Sequence, residues 1–278
     1  MAKNTSGNMS FLEHLEVLRW HLVRSTAAIL FFAILCFIGK GILFDVIIFG
    51  PKDPNFVTYR LFCEFSRSLG ITELFCMDEM PFAILNTRMA GQFSTHVWVS
   101  LIAGFILAFP YVLYEVWRFV KPGLHRSERK YSRGIIFFAS LLFMLGVLFG
   151  YYLIVPLSVQ FLGSYTVSAE VTNLIDLNSF ITTVSTVTLS TGLIFELPIL
   201  VYFLAKIGVI TPDWMRKYRR HAFVVTLILA AIITPPDISS QVLVAFPIVL
   251  LYELSIKICA RVVKNQEKER LRNKKAAE

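Results

Sequence analysis

Gly134–Ala169 reads GIIFFASLLFMLGVLFGYYLIVPLSVQFLGSYTVSA, 36 residues without a charged side chain. A helix needs about 20 apolar residues to cross the roughly 30 Å hydrocarbon core of a bilayer. This stretch can therefore span a membrane and run on past one side of it. The composition of the whole chain agrees: 56% of its 278 residues are hydrophobic and 17% charged, against about 45–50% and 25% in soluble domains. A soluble, disordered or disulfide-scaffold protein is excluded.

Working outward, further runs interrupt their apolar residues rarely or not at all. Ser25–Phe49 carries only Lys40 and Asp45, both in its second half. Met89–Tyr114 carries no charge, and Leu177–Ala205 carries Glu196 alone. Two shorter charge-free runs follow, Ala222–Pro236 and Ile238–Tyr252. The expected fold is all-α, a polytopic membrane protein with six transmembrane helices in a single domain over residues 1–260. The last two helices should be short, since about 15 residues rise only ~22 Å. Their link, Thr234-Pro235-Pro236-Asp237, cannot continue a helix. A re-entrant hairpin would also fit these lengths, but the basic segment beyond favours full crossing.

The basic residues set the orientation. Of 27 Lys and Arg, 22 lie in the stretch up to Arg24, in Arg118–Arg133, in Lys206–Arg220 and in the tail from Lys257. The opposite side holds five: Lys40, Lys52, Arg60, Arg67 and Arg88. Six crossings put both termini on the Lys/Arg-rich side, hence N-in and C-in. The net charge of +8 is therefore topological and marks no nucleic-acid site. The first 24 residues, with Glu13, Glu16 and the pattern Phe11, Leu12, Leu15, Leu18, Leu22, read as a retained amphipathic lead-in and not as a cleaved signal peptide. The tail, 261–278, is expected to be disordered.

The first outer loop, about residues 50–88, is the largest segment between spans. Its apolar residues Phe62, Phe65, Leu69, Leu74 and Phe75 suggest short helices lying on the outer face. Cys63 and Cys76 lie in this loop, in what should be an oxidising compartment; a disulfide and two free thiols are both open. Cys36 and Cys259 read as packing residues. There is no Cys-x-x-Cys, His-Glu-x-x-His, Gly-x-Ser-x-Gly or Walker loop. The five histidines are scattered singly near span ends, where packing outweighs metal ligation. No enzyme activity, metal or cofactor is expected.

Function is sought where polar groups are costly. A carboxylate near the centre of a span costs about 2.5–3.5 kcal/mol on insertion scales. Glu196 lies two residues before Pro198, with Ser185, Thr188 and Gly192 along one helical face behind it. That face must look into protein or water. Glu196 either fixes an internal contact or meets a second membrane protein or cargo. On the cytoplasmic side, Glu13, Glu16 and Glu128 stand among cations. They make surface ion pairs of little worth, or form an acidic patch that takes a basic peptide through bidentate Arg–carboxylate bonds.

The string Phe11-Leu12-Glu13-His14-Leu15-Glu16-Val17-Leu18-Arg19 resembles the N-terminal signature of the TatC family, the multispanning subunit of the twin-arginine protein translocase. Further similar segments follow in order. They are Pro110 with Leu113–Phe119, Pro122-Gly123-Leu124 to Lys130, Phe195-Glu196-Leu197-Pro198, and Thr234 through Gln241. The resemblance covers about residues 10–260 except most of the first outer loop. It implies a six-helix receptor in the bacterial inner membrane that recognises Arg-Arg signal peptides of folded proteins. It further implies an oligomeric complex with single-span TatA- and TatB-type partners, driven by the proton-motive force. Carried over residue by residue, Glu128 matches the loop carboxylate that grips the arginines, helped by Glu16, Arg19 and Glu13 on the N-terminal stretch. Glu196, with Pro198 and Gln241, matches the partner-contact positions. Pro51, Pro110, Pro122, Pro235, Pro236 and Asp237 match structural ones.

One departure stands out. The family pattern His-Leu-x-Glu-Leu-Arg places Val17 where the glutamate belongs, with Glu16 one step (about 100°) away on a helix. The competing function is a proton-coupled secondary transporter using Glu196. No inverted repeat or pair of Gly/Pro-broken helices supports it.

Overall fold

In a computed structural model the charge-free stretch is helical from Gly134 to Ser164, the helix having opened at Ser132. The structure describes residues 11–68, 70, 76, 80, 82–120, 132–168, 170, 173–233 and 238–277. In chain order the helices are α1 (Phe11–Ile38), α2 (Val57–Ser68), α3 (Gly91–Val120), α4 (Ser132–Phe149), α5 (Val155–Ser164) and α6 (Leu177–Ile194). After them come α7 (Leu197–Lys206), α8 (Pro212–Lys217), α9 (Arg219–Ile233) and α10 (Ile238–Ala277). Single wide, π-helical turns at Ile42–Ile48 and Gly150–Ile154 follow α1 and α4.

Five segments among the described residues are long and apolar enough to cross a membrane: Leu15–Ile38, Gly91–Val120, Gly134–Ser164, Leu177–Lys206 and Gln241–Lys268. The sixth expected crossing, α9, has 15 residues and falls short of that length, as its charge-free run implied. The run after it behaves differently. Its apolar part ends at Tyr252, but α10 continues for 40 residues to Ala277. The tail expected to be disordered is thus helical. Beyond Pro247 it contains no Gly or Pro, and it is rich in Lys, Glu, Arg and Ala, which carry a helix well without an apolar face.

By its contacts the chain forms two compact units, where a single domain over residues 1–260 was expected. Unit 1 joins Met1–Gly39 to Val97–Ser140, and unit 2 joins Lys40–His96 to Leu141–Glu278. In unit 1, α1 and α3 pack so closely that a Cβ on Gly104 would stand 2.5 Å from the Ala33 backbone nitrogen. Unit 2 has a core of Val201, Ala205, Met215, Ile256, Cys259 and Val262 from α7, α8 and α10. Cys259 is fully buried there, in the packing role its setting implied.

The wide turn in unit 2 has a local cause that also seats the outer loop. Pro156 has no N–H to offer the Tyr152 carbonyl four residues back. That carbonyl instead accepts the Thr58 hydroxyl of α2. Next to it, the buried Tyr59 hydroxyl lies 2.9 Å from the carbonyls of both Pro51 and Pro156, and burial raises its pKa. Phe56 stacks on Tyr152 with centroids 5.6 Å apart. α2 is tied on its other side by a disulfide between Cys63 and Cys76, whose Cα atoms are 5.0 Å apart. The two outer loops are joined by a ribbon of two parallel strands, β1 (Ala83–Leu85) on β2 (Leu174–Asp176). Three-residue strands carry no readable alternation, so an all-α reading omitted them.

Candidate functional site

Of the five carboxylates within the long segments, Glu16, Glu115, Glu196, Glu253 and Glu267, two have buried oxygens, one in each unit. In unit 1, Glu115 is 1% exposed on the last turns of α3. His21 of α1 donates through Nδ1 to its Oε2 at 2.5 Å. The Tyr111 hydroxyl, one turn back, donates to Oε1 at 3.1 Å, and an Arg118 guanidinium nitrogen lies 4.0 Å away. Both carboxylate oxygens are thus engaged. Pro110 stands in α3 directly before Tyr111. The sequence explains why His21 faces inward: Leu18, His21 and Ser25 recur at three- and four-residue spacing, and the latter two are buried. The pair fastens the Phe11 end of α1 to the Val120 end of α3.

On the same wheel, Val17 lies about 40° from His21 and Glu16 about 140°. Val17 is half-buried, while Glu16 and Arg19 are exposed on the opposite face. The resembled pattern's glutamate position thus turns toward α3, and Glu16 turns away from it. Glu13 lies in α1, with its side chain outside the described set; Glu128, Pro122, Pro235, Pro236 and Asp237 lie outside the described residues.

In unit 2 the fourth long segment is broken where the second carboxylate sits. α6 ends at Ile194, α7 starts at Leu197 with Pro198 in its first turn, and Glu196 holds the junction. Pro198 lacks the N–H that would bond the Ile194 carbonyl, so the helix must re-start there. Glu196 is half-buried, and its Oε1 has no hydrogen-bond partner among the described residues. The Ser185 and Thr188 hydroxyls on α6 are buried and equally unpartnered. Small residues bring this wall together. A Cβ on Gly146 would meet the Phe195 Cβ at 2.7 Å, and one on Gly192 would meet Val147 at 2.8 Å. α6 begins at Asp176, whose carboxylate accepts from Thr87 Oγ1 at 2.7 Å and from the Asn178 N–H at 3.1 Å. The Thr87 hydroxyl, more than any other neighbour, holds that carboxyl below its ordinary pKa.

The expected site residues fall into distinct places. Glu196 and Pro198 are adjacent at the α6–α7 break. Gln241 lies elsewhere in unit 2, its Nε2 donating to the Leu227 carbonyl at 3.2 Å, which braces α10 on α9. Pro51 is buried under α2. Glu115 and His21 were missed as site residues, although Glu115 stands in a string quoted for its resemblance. The usable signal was a carboxylate directly after the 26-residue charge-free run Met89–Tyr114, together with a histidine on the inward stripe of α1. Among the described residues no group of three or more His, Cys, Asp or Glu could hold a metal ion.

Comparison with known proteins places this geometry. The sequence profile described as "Sec-independent protein translocase protein (TatC)" matches residues 13–247. A protein of that name from Blattabacterium sp. subsp. Periplaneta americana is 42% identical over 95% of this chain and 100% of its own length. One from Aquifex aeolicus is 33% identical over 94% of this chain and all of its own. A crystal structure described as the twin arginine translocase receptor TatC in DDM superposes with a TM-score of 0.69 at 32% identity, covering 88% of this chain and 99% of that one.

Proposed function

This chain belongs to the TatC family of Sec-independent protein translocase proteins, and from that premise we propose that it is the receptor subunit that takes twin-arginine signal peptides of folded cargo at the cytoplasmic face of the bacterial inner membrane. It is a multi-pass component of a protein-transport system, and its relatives form a transport family and not an enzyme family. Both termini lie in the cytoplasm, where the Lys/Arg-rich segments collect.

The family match over residues 13–247 carries this reading, because it spans both the α1 carboxylates and the segment bearing Glu128. An arginine offers a planar fork that a carboxylate meets with two parallel hydrogen bonds; a lysine offers a point charge. A carboxylate site therefore tells Arg-Arg from Lys-Lys by geometry, although the charge is the same. Glu128 is the principal grip. Glu16 and Glu13 extend the patch, and Arg19 stands beside them on α1. The His21–Glu115 pair touches no peptide; it fixes the helix ends between which the peptide binds. Glu196 and Pro198 receive the helix of a single-span TatA- or TatB-type partner, which supplies the donor that Oε1 lacks. The proton-motive force drives transport through the assembled complex.

The test is the affinity of the purified protein for a twin-arginine signal peptide and its twin-lysine counterpart. Binding of the arginine peptide should be stronger by about 1.5–3 kcal/mol, and Glu128→Ala should remove that preference. Equal binding of both peptides, or no loss on Glu128→Ala, would contradict the receptor reading.

A further inference from the structure

The proposed receptor role uses none of the outer-face groups. There, unit 2 holds a cavity of about 810 Å3 whose polar lining includes Lys40, Lys52, His96, Gln92, Asn86 and Asp45. We infer that this cavity binds a phosphate oxyanion, carried by the headgroup of an anionic phospholipid.

The charge balance comes first. Two ammonium groups face one carboxylate, and neither lysine is ion-paired among the described residues. The surplus is positive in a loop region whose side of the membrane is otherwise poor in cations. Gln92 and His96 stand on the opening turns of α3. The leading N–H groups of a 30-residue helix lack intrahelical acceptors, and its dipole favours an anion there. Lysines, amide side chains and a helix start converge on the same space, and no one of them defines the site alone.

Position and lining select a lipid. Lys40 follows the candidate span Leu15–Ile38 by two residues, and Gly91 opens the next one. The cavity is thus built from segments that leave or enter the apolar slab. Its remaining wall includes Phe44, Phe49 and Phe93, and Phe44 packs edge-on against His96 with centroids 5.4 Å apart. A free ion has no use for aromatic walls beside its cations. A glycerophosphate with acyl chains matches both halves of the lining. The volume lies within the range of about 300–1,000 Å3 typical of small-ligand sites.

Native mass spectrometry of the full chain, titrated separately with phosphatidylglycerol, phosphatidylcholine and inorganic phosphate, tests the site. Phosphatidylglycerol should be retained in preference to phosphatidylcholine. Each lysine near an anionic headgroup contributes about fivefold, so Lys40→Gln with Lys52→Gln should weaken binding about 25-fold. The Lys→Arg pair should keep it, and Asp45→Asn should tighten it by about fivefold. Arg60→Gln, an exposed cation on α2 outside the cavity, should change nothing. Inorganic phosphate binding as tightly as the lipid, and lost with the lysines, would support the oxyanion site and assign it to the free ion. Equal lipid binding by wild type and the double glutamine variant would overturn the proposal. So would weaker or unchanged binding in Asp45→Asn, a variant that keeps both lysines.

Discussion

Glu115 and Glu196 are both carboxylates in apolar helices, and the two units treat them oppositely. Glu115 is almost fully buried, with one oxygen held by His21 and the other by Tyr111. Glu196 is half-buried at a helix break, and among the described residues its Oε1 and the hydroxyls of Ser185 and Thr188 on the helix before it have no hydrogen-bond partner. A buried acceptor without a donor costs roughly 1–3 kcal/mol, more if charged. The contrast separates two jobs that the residue type alone does not. The satisfied carboxylate is an internal brace, and on the proposed reading the unsatisfied one takes its donor from a partner helix.

The largest effect that could break this contrast lies at the brace. Glu115→Ala strands His21 in the α1–α3 contact and should destabilise the purified protein by about 3–5 kcal/mol, read as a fall in denaturant midpoint in detergent. Glu196→Ala removes no hydrogen bond to the described residues and relieves an unpaired acceptor, so it should leave that midpoint unchanged or raise it. Equal losses would erase the distinction. The helix contacts offer a second, smaller comparison. A methyl at Gly104 meets Ala33 backbone, which cannot turn aside, whereas one at Gly192 meets the side chains of Val147 and Phe143. Gly104→Ala should therefore cost about 2–3 kcal/mol and Gly192→Ala about 1.

The smallest effect concerns pH. The Asp176 carboxyl lies below its ordinary 3.8 in the folded protein, chiefly through the Thr87 hydroxyl. A depressed folded value means that its contribution is complete above pH 3.8 and is lost as pH falls through the lower, folded value. Stability below pH 4 should therefore drop less steeply in Asp176→Asn or Thr87→Val than in wild type, as acid titration of the helical signal would show.

Much of this was legible before any coordinates. Membrane helices announce themselves through uninterrupted apolar length, so four of the long spans and the short α9 follow from counting residues between charges. The tail helix did not, because its stability comes from propensity and carries no periodic stripe. Nor did the π-helical turn at Gly150–Ile154, which depends on Pro156 releasing a carbonyl that Thr58, nearly a hundred residues earlier, then uses. The site was half legible. Glu196 stood out as a lone charge inside a long run. Glu115 closes a run, so counting took it as a boundary, and its role appears only when α1 brings His21 against α3. The one-residue offset between Val17 and Glu16 was visible in the sequence. That Val17 faces α3 while Glu16 faces away required the packing.

The claim that Glu196 is an open docking point is tested most directly by photocrosslinking from Leu193, exposed on α6 three residues before it, in membranes containing the single-span partners. Wild type should crosslink to a partner helix, and Glu196→Gln should cut the yield by about tenfold, as loss of one charge-assisted hydrogen bond at low dielectric predicts. An unchanged yield in Glu196→Gln would contradict the account.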